Sequence, residues 1–115
     1  MKKIFYLKTC NTCTRFIDAI KTVDGFEFQE IKSQPITVVQ IEQLCKLAGS
    51  YEALFSRRAK LYTEMGLNLQ PLTEADYKHY LLHHYTFLKR PVVVLKDKIF
   101  IGSSKRTLEA INQSL

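Results

Sequence analysis

No apolar run in this 115-residue chain approaches the ~20 residues that a membrane-spanning helix needs. The amino terminus, Met1-Lys2-Lys3-Ile4-Phe5-Tyr6-Leu7-Lys8, meets charge before it could build a signal-peptide core, so a cytoplasmic location is expected. Cysteine is scarce. Its count of three is odd, which argues against a structural disulfide framework and for thiols that the cell keeps reduced. The basic residues are scattered rather than gathered into one block. No RNP, KH, zinc-finger or helix-turn-helix signature accompanies them, so direct nucleic-acid binding is not expected. Internal repeats, low-complexity segments and flexible linkers are also missing, which leaves a single domain over 1–115 as the expected organisation.

Hydrophobic residues make up 46% of the chain, with seven Phe and six Tyr, enough apolar material for one core. Lys and Arg exceed Asp and Glu by 17 to 11, a net +6, which favours a small anionic substrate, a peptide or an acidic partner surface.

Lys3 to Leu7 is a short run of β-formers that stops just before the first cysteine and predicts a buried strand. From Asn11 the period changes. Cys13, Phe16, Ile17, Ile20 and Val23 follow at helical spacing up to Asp24-Gly25, which predicts a first helix of that length. Phe26, Phe28 and Ile31 then supply a second, mostly alternating strand, broken by Ser33-Gln34-Pro35. A strand, a helical crossover and a strand imply a parallel pair.

Residues 37–88 read as an all-helical insertion. Thr37 to Gln40 resembles a capping box ahead of Ile41, Leu44, Cys45 and Ala48, with Gly49 as a stop. A second helical stretch lies within Tyr51 to Met65 and ends at Gly66. Thr73 to Asp76 caps a third, which carries Tyr77, Tyr80, Leu81 and His84. Arg90 to Leu95 and Ile99 to Gly102 surround Lys96-Asp97-Lys98 and predict an antiparallel hairpin. A last helix from Ser104 places Leu108, Ile111 and Leu115 on one face.

The pair Cys10-Asn11-Thr12-Cys13 carries the chemistry. A Cys-x-x-Cys between a strand and a helix puts the first sulfur at the helix amino terminus. There the unpaired N–H groups and the helix dipole favour a thiolate. Cys10 is the candidate nucleophile. Cys13, one turn on, is the candidate resolving thiol, able to attack an adduct on Cys10 and leave an intramolecular disulfide. Lys8 and Arg15 flank the pair and could lower the thiol pKa. Zinc is the competing reading, because Cys10 and Cys13 have ligand spacing and His79 and His83 stand four apart. The gap between the two pairs far exceeds the about 12–15 residues of a zinc finger, so no metal site is expected.

Arg90-Pro91 opens an apolar strand, where a cis bond would expose the backbone of the preceding residue to a substrate chain; an ordinary strand-start proline is the alternative. Arg57 and Arg58 form a second basic site. With Arg90 they could hold an oxyanion or a carboxylate, or they could simply face solvent. Cys45 falls on an apolar stripe and is expected to be a core thiol. His84 is expected to pack with Tyr77, Tyr80 and Leu81.

The order of these motifs resembles the arsenate reductase (ArsC) and Spx family, a glutaredoxin-like branch of the thioredoxin superfamily. The resemblance spans nearly the whole chain. It rests on Cys10 after strand one, Ala53 to Arg58 leading to Tyr62 and Gly66-Leu67, Pro71-Leu72-Thr73, and Leu88 to Val94. It implies an α/β fold, a thioredoxin-like mixed four-stranded sheet with an inserted helical subdomain, and it favours a cis Pro91. It also implies a thiol-dependent oxidoreductase. Cys10 matches the nucleophile that attacks arsenate in that family and Arg90 matches one of three anion-binding arginines. The electron donor would be glutathione, a glutaredoxin or a thioredoxin, with no bound cofactor. Ser56 stands near the place of the second arginine, so Arg57 or Arg58 would substitute. The third place falls at Gly102, close to Lys105 and Arg106. Cys13 and the position of Arg58 look more like Spx, a redox-sensing regulator that binds RNA polymerase. That partner is the alternative to enzymatic turnover. The last expected helix ends at Leu115, so no longer regulatory tail is expected.

Overall fold

β-branched and aromatic residues between Lys2 and Tyr6 form the first strand, β1, and the chain turns at Leu7–Cys10 into a helix, α1, at Asn11–Asp18. A second strand, β2, spans Glu27–Glu30. Three helices follow, α2 at Val38–Ala48, α3 at Lys60–Glu64 and α4 at Glu74–His83, with 3₁₀ turns at Glu52–Leu54, Leu67–Leu69 and Tyr85–Phe87. Strands β3 (Val92–Leu95) and β4 (Lys98–Ile101) precede α5 (Lys105–Ser114). This computed structural model describes residues 1–115. The chain divides into two units: a sheet unit of Met1–Gln34 with Arg90–Leu115, and a helical unit of Pro35–Lys89.

In the sheet unit the strand order is β2-β1-β3-β4. β1 runs parallel to β2, with Tyr6 opposite Glu30. It runs antiparallel to β3, and β3 pairs antiparallel with β4. The sheet is therefore mixed, as a βαβ unit joined to a hairpin requires. Its core takes Ile4 from β1 and Val93 and Leu95 from β3. Phe16 and Ile20 come from α1 and the residues just after it, and Ile111 from α5. Val92, Val93 and Val94 are all fully buried, which is why the strand reads as a continuous apolar run instead of an alternating one.

The helical unit is built from its caps inward. Thr37 accepts from the Gln40 amide at 3.1 Å while the Gln40 side chain accepts from the Thr37 amide at 3.1 Å. Gly49 closes α2 at φ 94°. Thr73 and Asp76 make the same reciprocal pair at the start of α4. Phe55 is the hub of the core, with ring centroids 5.0 Å from Tyr77 and 5.2 Å from Phe87. An antiparallel bridge between Phe55 and Leu88 joins the two arms of this unit.

Three sequence expectations are corrected, and the facing of β2 is settled. α1 stops at Asp18 instead of reaching Asp24. The Ile20 amide bonds to Ile17 and the Lys21 amide to Asn112 Oδ1 at 2.8 Å, so the next turn tightens and is captured by α5. Phe28 points outward and is 41% exposed. It packs edge-on against Tyr6, while Gln29 takes the buried place and donates to the Gln34 carbonyl. Cys45 is half-buried, not a fully enclosed core thiol. His84 lies beyond the end of α4, and its Nδ1 accepts from the Thr86 amide at 3.0 Å, which starts the next 3₁₀ turn.

Candidate active site

The turn between β1 and α1 is closed by the Cys10 amide donating to the Leu7 carbonyl at 3.1 Å. Cys10 is then the N-cap of α1, with extended backbone at φ −91°, ψ 105°. No conventional side-chain cap closes this helix. Instead the amide of Cys13, the third residue of the helix, faces the Cys10 sulfur, and that arrangement stabilises a thiolate by hydrogen bonding and by the helix dipole. Partial burial pushes the Cys10 pKa upward. The Cys13 amide, the Cys13 thiol and the Arg90 guanidinium outweigh it, and the pKa falls below its ordinary value of 9.0.

Cys13 is the opposite case. It is fully buried. Burial first, and then the proximity of Cys10, push its pKa up to about 11. One sulfur is thus half-buried with its pKa lowered, and the other is enclosed with its pKa raised. Environments that separate two titratable groups in this way assign different chemical roles to them.

Arg90 precedes a cis bond to Pro91, and its charge acts on both sulfurs. Pro91 is buried, and its carbonyl accepts from the Gly102 amide at 2.9 Å. Cys10, Cys13, Arg90 and Pro91 therefore belong to one cluster in the sheet unit. Gly102, the place of the third arginine, has φ 91°. Its backbone there favours glycine, and a long basic side chain would be strained. Lys105 and Arg106 are exposed in the first turn of α5.

Arg15 and Lys8 are both exposed, and the lowering charge at Cys10 is that of Arg90. Arg15 lines a groove of about 330 Å³ beside Thr12, with Ser104 and Lys105 among its other lining residues. Arg57 and Arg58 lie in the helical unit and are not equivalent. Arg57 donates to Glu52 Oε2 at 2.6 Å and to the Tyr77 hydroxyl at 2.9 Å, so its guanidinium is engaged in holding that unit. Arg58 is exposed. His79 and His83 are exposed and stacked on α4, with centroids 6.0 Å apart. No group of three or more His, Cys, Asp or Glu side chains is arranged to hold a metal ion. No helix is long and apolar enough to cross a membrane.

Glu30 belongs to the site without any distinctive signal in the sequence. Its carboxylate accepts from the Lys8 amide at 3.0 Å and from the Ser33 amide at 2.8 Å, which ties the turn carrying Cys10 to the turn after β2. The only trace in the sequence is a carboxylate three residues before a serine, a pattern too common to single out.

The relatives agree with this architecture. An arsenate reductase from Vibrio cholerae shares the fold with a TM-score of 0.79 at 16% identity, over 99% of this chain and 97% of that one. An ArsC family related protein from Bacteroides fragilis gives 0.79 at 21% identity, over 96% of each chain. In sequence, the global transcriptional regulator Spx of Lactiplantibacillus plantarum is 22% identical over 102 residues, 86% of this chain and 76% of that protein. The ArsC family model matches residues 5–111, which include the whole of the Cys10 cluster and of the helical unit, and the chain belongs to the ArsC family.

Proposed function

We propose that the protein is a thiol-dependent oxidoreductase acting through Cys10. The observation that carries this reading is the pairing of a half-buried Cys10, its pKa lowered by the Cys13 amide and Arg90, with an enclosed Cys13 whose pKa is raised. On a disulfide substrate, the Cys10 thiolate attacks one sulfur and forms a mixed disulfide while the other sulfur leaves as a thiolate. Forming that bond removes the negative charge of Cys10, and with it one of the causes that keep Cys13 protonated. Cys13 then loses its proton to solvent and attacks Cys10. The second substrate thiolate is released and a Cys10–Cys13 disulfide remains. Two external thiols, from glutathione or from a glutaredoxin or thioredoxin, reduce it.

Arsenate is the alternative small anionic substrate, on the family pattern. Only Arg90 of the three expected arginines lies with Cys10 in the sheet unit, and the third place is Gly102. A lost oxyanion contact costs about 2.7–4 kcal/mol of transition-state stabilisation, so a disulfide substrate is favoured over arsenate. The groove edged by Arg15 and Lys105 offers positive charge to an anionic thiol.

A glutaredoxin-coupled NADPH assay with glutathione mixed disulfide and with arsenate tests this reading. Turnover is expected with the disulfide and is expected to vanish in Cys10→Ser. No turnover with either substrate, or unchanged turnover in Cys10→Ser, would refute it. A second reading, a redox-switched regulator that binds RNA polymerase, is favoured by the sequence similarity to Spx. Capture of RNA polymerase that depends on the Cys10–Cys13 redox state, without turnover, would select it.

A further inference from the structure

We propose that Glu30 is a positioning residue for Cys10, acting through the turn that carries it. The inference rests on the reading of Cys10 as the nucleophile. β1 and β2 are parallel and end side by side, with Tyr6 opposite Glu30 and the Ile31 amide donating to the Tyr6 carbonyl at 2.9 Å. Beyond this point the two chains diverge, one into the Leu7–Cys10 turn and the other into the Ile31–Gln34 turn. The Glu30 carboxylate spans the divergence. Oε2 accepts from the Lys8 amide at 3.0 Å, and Oε1 accepts from the Ser33 amide and the Ser33 hydroxyl, both at 2.8 Å.

All three partners donate, and two of them are backbone amides. A group that accepts on both oxygens is therefore required. A carboxylate is the only side-chain group that does this without presenting a donor. A glutamine would turn its NH₂ toward either Lys8 or Ser33 and lose one side of the tie. The same donors hold the Glu30 carboxyl below its ordinary pKa, the Lys8 amide contributing most.

Lys8 is two residues from Cys10, inside the turn closed by the Cys10 amide. Thiolate stabilisation at Cys10 depends on where its sulfur sits relative to the Cys13 amide and the Arg90 guanidinium. These interactions are directional and decay steeply with misalignment. Releasing the Lys8 amide frees the turn on the side where the chain enters the helix.

The test compares wild type, Glu30→Gln and Glu30→Ala in the full chain. Alkylation of Cys10 by iodoacetamide is followed from pH 4 to 10, with the modified peptide identified by mass spectrometry, and thermal melting is recorded in parallel. Both variants are expected to titrate Cys10 at higher pH than wild type, with Gln between wild type and Ala. A rise of about half a unit lowers the thiolate population at pH 6 about threefold, of which the higher nucleophilicity of a more basic thiolate recovers somewhat under twofold, so modification there slows by about twofold while the deficit disappears by pH 10. Profiles that superimpose on wild type would overturn the proposal, whatever the melting temperatures show. If Glu30→Ala does not fold, Glu30→Gln decides alone. A wild-type Cys10 titrating at the ordinary thiol value would overturn the nucleophile reading, and this inference with it. A depressed wild-type value with superimposed variants would overturn only the role of Glu30.

Discussion

Replacing Arg90 by Ala removes the one guanidinium that acts on both sulfurs, and its effect can be worked out. Hydrogen bonds to charged groups contribute about 1.5–3 kcal/mol, which corresponds to about one to two units of thiol pKa. Cys10 is half-buried, so solvent screens part of this and the lower end, about one unit upward, is expected. At pH 6 the thiolate population then falls about tenfold. The more basic thiolate is also a better nucleophile, and with a Brønsted coefficient of about 0.4–0.5 it recovers about threefold of that loss. The net expectation is a reaction with an aromatic disulfide reagent that is about threefold slower. The direct readout is thiolate absorbance at 240 nm against pH, in a Cys45→Ala background that leaves the Cys10–Cys13 pair as the only thiols. Arg90→Lys keeps the charge, loses the planar fork, and should fall between the two. The stability change has a definite sign. A depressed pKa means Cys10 stabilises the fold above its unfolded-state value, and that contribution is lost as pH falls through the folded value. Arg90→Ala should narrow that window. An Arg90→Ala protein whose Cys10 titrates as in wild type would refute the electrostatic account of the site.

Two further predictions follow from the same structure. Cys13, raised to about 11 from 9.0, keeps its proton in the folded state over a range where the unfolded chain loses it. Stability should therefore decline as pH rises from about 9 to 11, by of order 2 kcal/mol, and urea titrations of Cys13→Ala should lack that slope; an identical slope in the variant would contradict the burial argument. Arg57→Ala should lower stability by up to about 1 kcal/mol, since its bond to Glu52 is solvent-accessible. Arg58→Ala should stay within about 0.5 kcal/mol. Equal losses in urea unfolding would show that Arg57 has no structural role distinct from Arg58.

Where a signal was local, it could be read from the chain. The Thr37 and Thr73 capping boxes formed because each needs only residues three apart on one turn. The β3 run of valines and the hairpin around Lys96 likewise depend on neighbours in sequence. The Cys10 position before α1 was legible for the same reason. The apolar spacing of Ile20 and Val23 carries the helical pattern six residues past the end of α1, while Asn112, ninety-one residues away, takes the Lys21 amide. That Phe28 faces outward while Gln29 is buried was not legible, because alternation cannot tell which face of a short edge strand is covered.

The sequence by itself determined the Cys10–Cys13 pair at a strand-to-helix junction, a parallel strand pair, a separate antiparallel hairpin and an arginine before Pro91, since these follow from spacing along the chain. Only the tertiary structure decided which sulfur is enclosed, which arginine acts on it, and that Arg57 is engaged by Glu52 and Tyr77. It alone revealed that the Glu30 carboxylate bridges two turns. Burial, charge proximity and hydrogen-bond direction depend on distances through space, and residues 10, 30 and 90 acquire those distances only when the strands pair.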